Sequence, residues 1–148
     1  MKYFTLQWWK DPGKNMLDVT ERYRRYVKSV RKALPPDLWR LYWNVDIHDA
    51  HLRCLRLVDR TLELKLDGDP VAKVRQSFRL TYEDVSSLNS TGNPKSGLAG
   101  PYGYGDLGYN EIEVVGDRLY EHRILFSSGI EFQIRFSGFN LWYKDRLA

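Results

Sequence analysis

The sequence predicts an α+β fold with an N-terminal helical pair packed on a twisted antiparallel sheet of about six strands in meander order. Three observations carry that expectation. Apolar residues recur at three-and-four spacing up to Trp43; from Ala50 onward they alternate with polar residues; and Gly, Asp and Pro punctuate the alternating runs at short intervals. A chain of 148 residues buries a sizeable core without disulfide or metal staples. One domain over residues 1–148 is therefore expected, with an N-terminal arm and helices in 1–49 and the antiparallel sheet in 50–148.

Lys2 to Trp9 is rich in β-formers and reads as a first strand or an extended arm, broken by Asp11-Pro12-Gly13. Val19, Tyr23, Tyr26, Val27, Val30 and Leu34 then fall on one helix face, with Arg22, Arg25, Ser29 and Lys32 on another. Asn15 can cap this helix; Asp18 followed by Glu21 offers a capping box one turn later. Pro35 ends it. Pro36 suits the first turn of a second helix, Asp37 to Trp43, whose Leu38, Trp39, Leu41, Tyr42 and Trp43 leave so little polar surface that deep packing is expected.

In the second part of the chain, Leu55 and Leu57, then Leu62, Leu64 and Leu66, alternate with charged residues around Asp59-Arg60 as a tight connection. Asp67-Gly68-Asp69-Pro70 turns into a third run with Val74, Phe78, Leu80 and Tyr82. Residues 86–108 hold six of the eleven glycines together with Pro94 and Pro101, and read as one long loop. Ile112 and Val114, then Tyr120 to Phe126, then Ile130 to Phe136 supply the remaining strands, separated by Gly116-Asp117 and Ser128-Gly129. The outward faces carry Arg56, Lys65, Arg75, Arg79, Arg123 and Arg135 against Glu63, Glu111, Glu113, Glu121 and Glu131, enough for cross-strand ion pairs without a ligand.

Composition bounds the function. Residues 1–40 hold ten Lys/Arg against four Asp/Glu, whereas residues 41–148 hold thirteen against fifteen, so the positive charge belongs to the helical part. Cys54 is the only cysteine, which excludes an intrachain disulfide; in an alternating run it reads as a small buried hydrophobe and suits a reducing, cytoplasmic setting. No apolar run approaches the roughly 18 residues of a membrane span, and no signal-peptide core follows Met1, so neither secretion nor membrane insertion is expected.

Several motifs bear on chemistry. Gly103-Tyr104-Gly105-Asp106-Leu107-Gly108 has the G-x-G-x-x-G spacing of dinucleotide-binding turns, but it leads into a strand pattern rather than a helix, so a loop is the better reading. Tyr102, Tyr104 and Tyr109 between glycines have the aromatic character of recognition loops. His48, Asp49 and His51 precede the first strand, and Glu121 and His122 sit in a later one; together they form a candidate imidazole–carboxylate cluster for proton transfer if the strands bring them close. No metal-ligand spacing and no serine elbow accompanies them, so neither a metal nor a cofactor is expected. The first helix presents Arg22, Arg24, Arg25, Lys28, Arg31 and Lys32 as a basic band. Of these, Arg22, Arg25 and Lys28 are the candidate contacts to an acidic protein partner, ahead of nucleic acid, for which no recognition signature is present.

The opening Met1-Lys2-Tyr3-Phe4-Thr5, the step His48-Asp49-Ala50, and the stretch from His122 through Ile124-Leu125-Phe126-Ser127 to Gly129 resemble a bacterial family of uncharacterised proteins. Small α+β domains of this kind also resemble immunity proteins, which neutralise a toxin by binding it. The resemblance implies a non-catalytic protein-binding or accessory domain. A His/carboxylate-centred enzyme and a nucleic-acid binder using the basic helix are the alternatives.

Overall fold

The computed structural model describes residues 1–11, 13, 16–68, 74–91 and 103–147. Asn15, Pro94, Pro101 and Tyr102 lie outside these described residues, and with them the expected Asn15 cap. Residues 1–4 form an arm that bends at Tyr3 and Phe4. It is followed not by a strand but by the short helix α1 (Leu6–Lys10), because the Thr5 hydroxyl accepts from the Trp8 amide and caps it. Helix α2 (Met16–Val30) passes through a 3₁₀ turn (Arg31–Ala33), and α3 (Pro36–Asn44) starts on its N1 proline.

Eight strands follow among the described residues: β1 (His51–Val58), β2 (Thr61–Asp67), β3 (Val74–Glu83), β4 (Ser87–Thr91), β5 (Leu107–Gly116), β6 (Leu119–Phe126), β7 (Glu131–Phe136) and β8 (Gly138–Leu147). They form two antiparallel sheets rather than one meander, in the orders β1-β2-β3-β8 and β4-β7-β6-β5. Two strands account for the difference. Ser87 to Thr91, in the stretch expected as loop, pairs residue by residue with β7. Phe139 and Leu141 at the end of the chain alternate onto the core and pair with Tyr82 and Leu80. Only Ser137 separates β7 from β8, and the single Ser137-Gly138 step, with Gly138 already the first residue of β8, is all that marks the place where the chain leaves one sheet for the other.

The sheets face each other across an apolar layer. Leu62, Leu64, Leu66, Phe78, Leu80 and Tyr82 come from the first; Ile112, Ile124, Phe126, Phe132, Ile134 and Phe136 from the second. Tyr82 bridges them, its ring edge-on to Phe136 at 5.0 Å. Burial of these side chains supplies the main driving force, at roughly 25 cal/mol for each Å² of apolar surface removed from water.

The helices do not blanket one sheet face; they tie together one open edge of each sheet. On β5, the outward amides of Ile112 and Val114 donate to the hydroxyls of Tyr23 (2.6 Å) and Tyr26 (2.9 Å) from α2. On β8, the Leu141 amide donates to Asp37 Oδ2 at 2.8 Å, and its carbonyl accepts from Arg40 at 2.6 Å, both from α3. Edge groups that would otherwise template aggregation are satisfied by helix side chains. Strand β1 stays at the opposite edge of its sheet. Leu55 and Leu57 point to the inner side as expected but remain 40% and 47% exposed because no element covers them. Cys54, expected to be buried, is half-buried on the outer side for the same reason.

The outer face of the second sheet carries the expected cross-strand ion pairs, but it is buried rather than wet. The arm lies across it: the amides of Lys2, Tyr3 and Phe4 all donate to the Glu111 carboxylate (2.7, 2.6 and 2.7 Å), which is 1% exposed. Arg123 is buried among Glu111, Glu113 and Glu121, and Arg135 reaches Glu121 at 2.6 Å. Burial by itself raises the Glu121 carboxyl, but hydrogen bonds from Gln133 and Arg135 and the Arg123 charge outweigh it and hold the group below the ordinary carboxylate range.

Of the glycine-rich segment expected as a long loop, residues 92–102 lie outside the described residues, and residues 103–106 form a turn that leads into β5. Gly105 sits at φ +77°, and a Cβ there would strike Ser127 Oγ. Gly108 lies under the Trp9 indole so closely that a Cβ would collide with the ring. A left-handed turn and a close approach explain two of the three glycines of the G-x-G-x-x-G spacing with no phosphate involved.

Candidate functional site

Two adjoining features on the helical side form the candidate site. The first is the cleft between α2 and α3. Trp39 and Trp43, one turn apart on α3, stack with ring centroids 5.5 Å apart and an interplanar angle of 10°. Lys28 Nζ lies 5.6 Å from the Trp43 ring centre and the Arg31 guanidinium 4.8 Å from that of Trp39. The helical repeat places Arg24 and Lys28 along one line of α2, facing α3, and Arg31 at the start of the 3₁₀ turn continues that line. Trp43 remains 52% exposed, although deep packing of α3 was expected; only Leu38 and Leu41 are buried on that helix.

The second feature is a cavity of about 410 Å³ opening beside Trp43. Its deeper wall is Phe4, Tyr23, Leu41, Ile47 and Tyr109, and its rim carries Thr20, Arg24, Trp43, Asn44, Asp46 and His48. Tyr109 is fixed from several sides, stacked on Phe4 at 5.1 Å and edge-on to Trp8, Trp9 and His48. Burial pushes the Tyr23 phenol far above its ordinary value, so it stays neutral while accepting from Ile112.

The candidate imidazole–carboxylate cluster does not assemble. His48 donates from Nδ1 to the Gly108 carbonyl, which leaves Nε2 at the rim, 3.5 Å from Asp49 Oδ1. Asp49 stands in a turn at φ +59°, its amide donating to the Leu107 carbonyl. His51 is buried at the start of β1, with Nε2 2.7 Å from Asp106 Oδ1. His122 points the other way, into the core. Tyr82 hydroxyl meets its Nδ1 at 2.7 Å and Asn110 Oδ1 meets its Nε2 at 3.1 Å. Burial lowers the His122 pKa to about 3, so it is neutral at physiological pH. Glu121, its chain neighbour, faces the opposite side of the sheet and belongs to the Arg123–Arg135 network. Among the described residues, no group of three or more His, Cys, Asp or Glu comes together to hold a metal ion.

Of the candidate binding residues, Lys28 and Tyr109 join the site. Arg22 lies on the solvent side of α2, at 3.8 Å from Asp18, and Arg25 is exposed on that same outer side. Tyr104 packs on Phe126 and Phe132 at 5.5 and 5.3 Å, and its main role is to anchor the turn before β5. Sequence reasoning missed Arg24, Arg31, Trp39 and Trp43 as one unit. The signal was present as matching spacings, 24-28-31 along α2 and its 3₁₀ extension and 39-43 on α3, but it becomes a site only when the two helices are laid side by side.

This architecture defines a mixed helix and sheet protein with an aromatic, cation-lined cleft beside a cavity. The chain belongs to a family described as Protein of unknown function (DUF4085), whose model matches residues 1–136. No curated protein and no solved structure matches it. No helix among the described residues is long and apolar enough to cross a membrane.

Proposed function

We propose that the protein is a non-catalytic binding domain that docks an acidic protein partner on the α2–α3 cleft. The observation that carries this reading is the stack of the exposed Trp43 on the half-buried Trp39, with Lys28 and Arg31 set over the rings. Leaving such large apolar surface in water is unfavourable, and Trp flanked by basic groups is the residue pattern of interface hot spots. The cations would steer an acidic surface toward the cleft and set its register. Each ring of the pair is already engaged by the other and by a cation, which favours a protein surface over successive stacked bases. The three imidazoles favour binding over catalysis: each serves a local structural contact rather than converging on one another. An immunity-type role is the form of this proposal in which the acidic partner is a toxin.

Co-purification from the native host tests it. The wild type should retain an acidic protein at low salt and release it as salt rises, because exposed charges are screened beyond about 10 Å at 0.1 M. Lys28→Glu/Arg31→Glu should lose that protein, while Arg60→Glu in the distant β1–β2 turn should keep it. Equal retention by the cleft variant, or retention only of nuclease-sensitive material, would overturn the proposal.

A further inference from the structure

The cavity shares Trp43 and Arg24 with the cleft, so whatever lies across the cleft also lies across the cavity mouth. Building on the docking role proposed above, we infer that this cavity is the specificity pocket of the site and receives one aromatic side chain from an acidic segment of the partner.

Size, wall chemistry and charge support that occupant. A space of about 410 Å³ falls within the range of cavities that hold discrete ligand groups. Its aromatic walls, Phe4, Tyr23, Tyr42, Trp43 and Tyr109, present both faces and edges, the arrangement in which a further ring finds offset or edge-on contacts. The walls are also set before any guest arrives. Tyr23 is held by its bond to the β5 edge, and Tyr109 is wedged between Phe4, Trp8 and Trp9. Asn110 is the polar group of the β5 wall. Its Oδ1 accepts from His122 Nε2, whose other nitrogen is held by Tyr82, so the amide is fixed in place at the wall.

The surroundings favour acidic flanks on the inserted residue. Arg24 sits on the rim, 3.8 Å from Glu21, and Lys28 and Arg31 continue the basic line along α2 and into the 3₁₀ turn. The rim's own carboxylate, Asp46, is turned to the His48 amide at 2.9 Å, which offsets part of its repulsion of an incoming anion. Apolar insertion gives the discrimination and the basic line gives the orientation, the division of labour expected where an anchor residue fills a pocket inside a charged rim.

The test uses a random dodecapeptide library displayed on phage and selected on the immobilised full-length chain. A selected peptide is then fluorescein-labelled and titrated by anisotropy. The plug variant is Thr20→Trp: Thr20 is an exposed rim residue whose hydroxyl donates to the Met16 carbonyl of its own helix at 3.0 Å, so a larger side chain can block the mouth without entering the core. Unchanged thermal melting of the variant verifies its fold. The inference predicts a consensus of one aromatic residue among Asp and Glu, a loss of at least tenfold in affinity on replacing that aromatic by Ala, and a similar loss on Thr20→Trp. It also predicts a shift of the Asn110 side-chain amide resonances on peptide addition. Acidic peptides that bind equally to Thr20→Trp and lose binding only with Lys28→Glu/Arg31→Glu would overturn the pocket assignment and leave the docking reading standing. Peptides indifferent to both variants, or no peptide that distinguishes them from the wild type, would overturn both.

Discussion

Glu111 and His122 occupy opposite faces of the second sheet and are buried for different reasons. Glu111 accepts from three arm amides and from Arg123. Replacing it with Gln weakens every one of those bonds and leaves the arm poorly anchored, so Glu111→Gln should destabilise the fold by about 2–4 kcal/mol in denaturant titrations. His122 is neutral, with a folded pKa of about 3 against 6.5 for the free group. The unfolded chain therefore takes up a proton that the folded chain refuses. Stability is full above about pH 6.5 and falls as pH drops from there toward 3. Glu113 and Glu121 are held below the ordinary value of 4.5, and their contribution is present above that pH and lost as pH falls through their folded values. The melting temperature of the wild type should thus decline between pH 6.5 and 4.5, a window in which His122→Gln should be nearly flat although less stable at pH 7.

At the level of elements, the helices act as edge locks. Tyr23→Phe removes the acceptor for the buried Ile112 amide and should cost about 1–3 kcal/mol. Tyr26→Phe, at the half-buried Val114 pair, should cost only about 0.5–1.5 kcal/mol. Amide hydrogen exchange at residues 112 and 114 should quicken selectively in the respective variants. The helix periods and the alternation in β2, β3 and β7 were legible because each buries one face, and burial writes period 3.6 or 2 into the sequence; β6 is buried on both faces but keeps the alternation because Glu121 and Arg123 line its outer one. The partition into two sheets was not legible. Strand β4, Ser87-Leu88-Asn89-Ser90-Thr91, is almost wholly polar and pairs through its backbone, which leaves no hydrophobic pattern to read. The arm over Glu111 was equally hidden, since an outward-facing Glu on a strand looks the same in sequence whether water or three backbone amides cover it. The basic band of α2 was visible, but its useful side was not: Tyr23 and Val27 fix which face turns inward, and only the position of α3 selects Arg24, Lys28 and Arg31 over Arg22 and Arg25.

Across the whole molecule, the stacked sheets form a stable frame whose helical side both closes the core and exposes the aromatic cleft. The parts of the cleft that face solvent contribute little to holding that frame, so Trp43→Ala should lower the melting temperature by no more than a few degrees while removing the docking surface. The direct test of the binding role is site-specific photo-crosslinking in the native host, with a benzoylphenylalanine placed at Trp43 or, for comparison, at the equally exposed Leu57 on the far β1 edge. A cleft that docks an acidic protein predicts one dominant adduct from position 43, to a protein of low isoelectric point, and none of that species from position 57. The same adducts from both positions, or none from position 43, would contradict it.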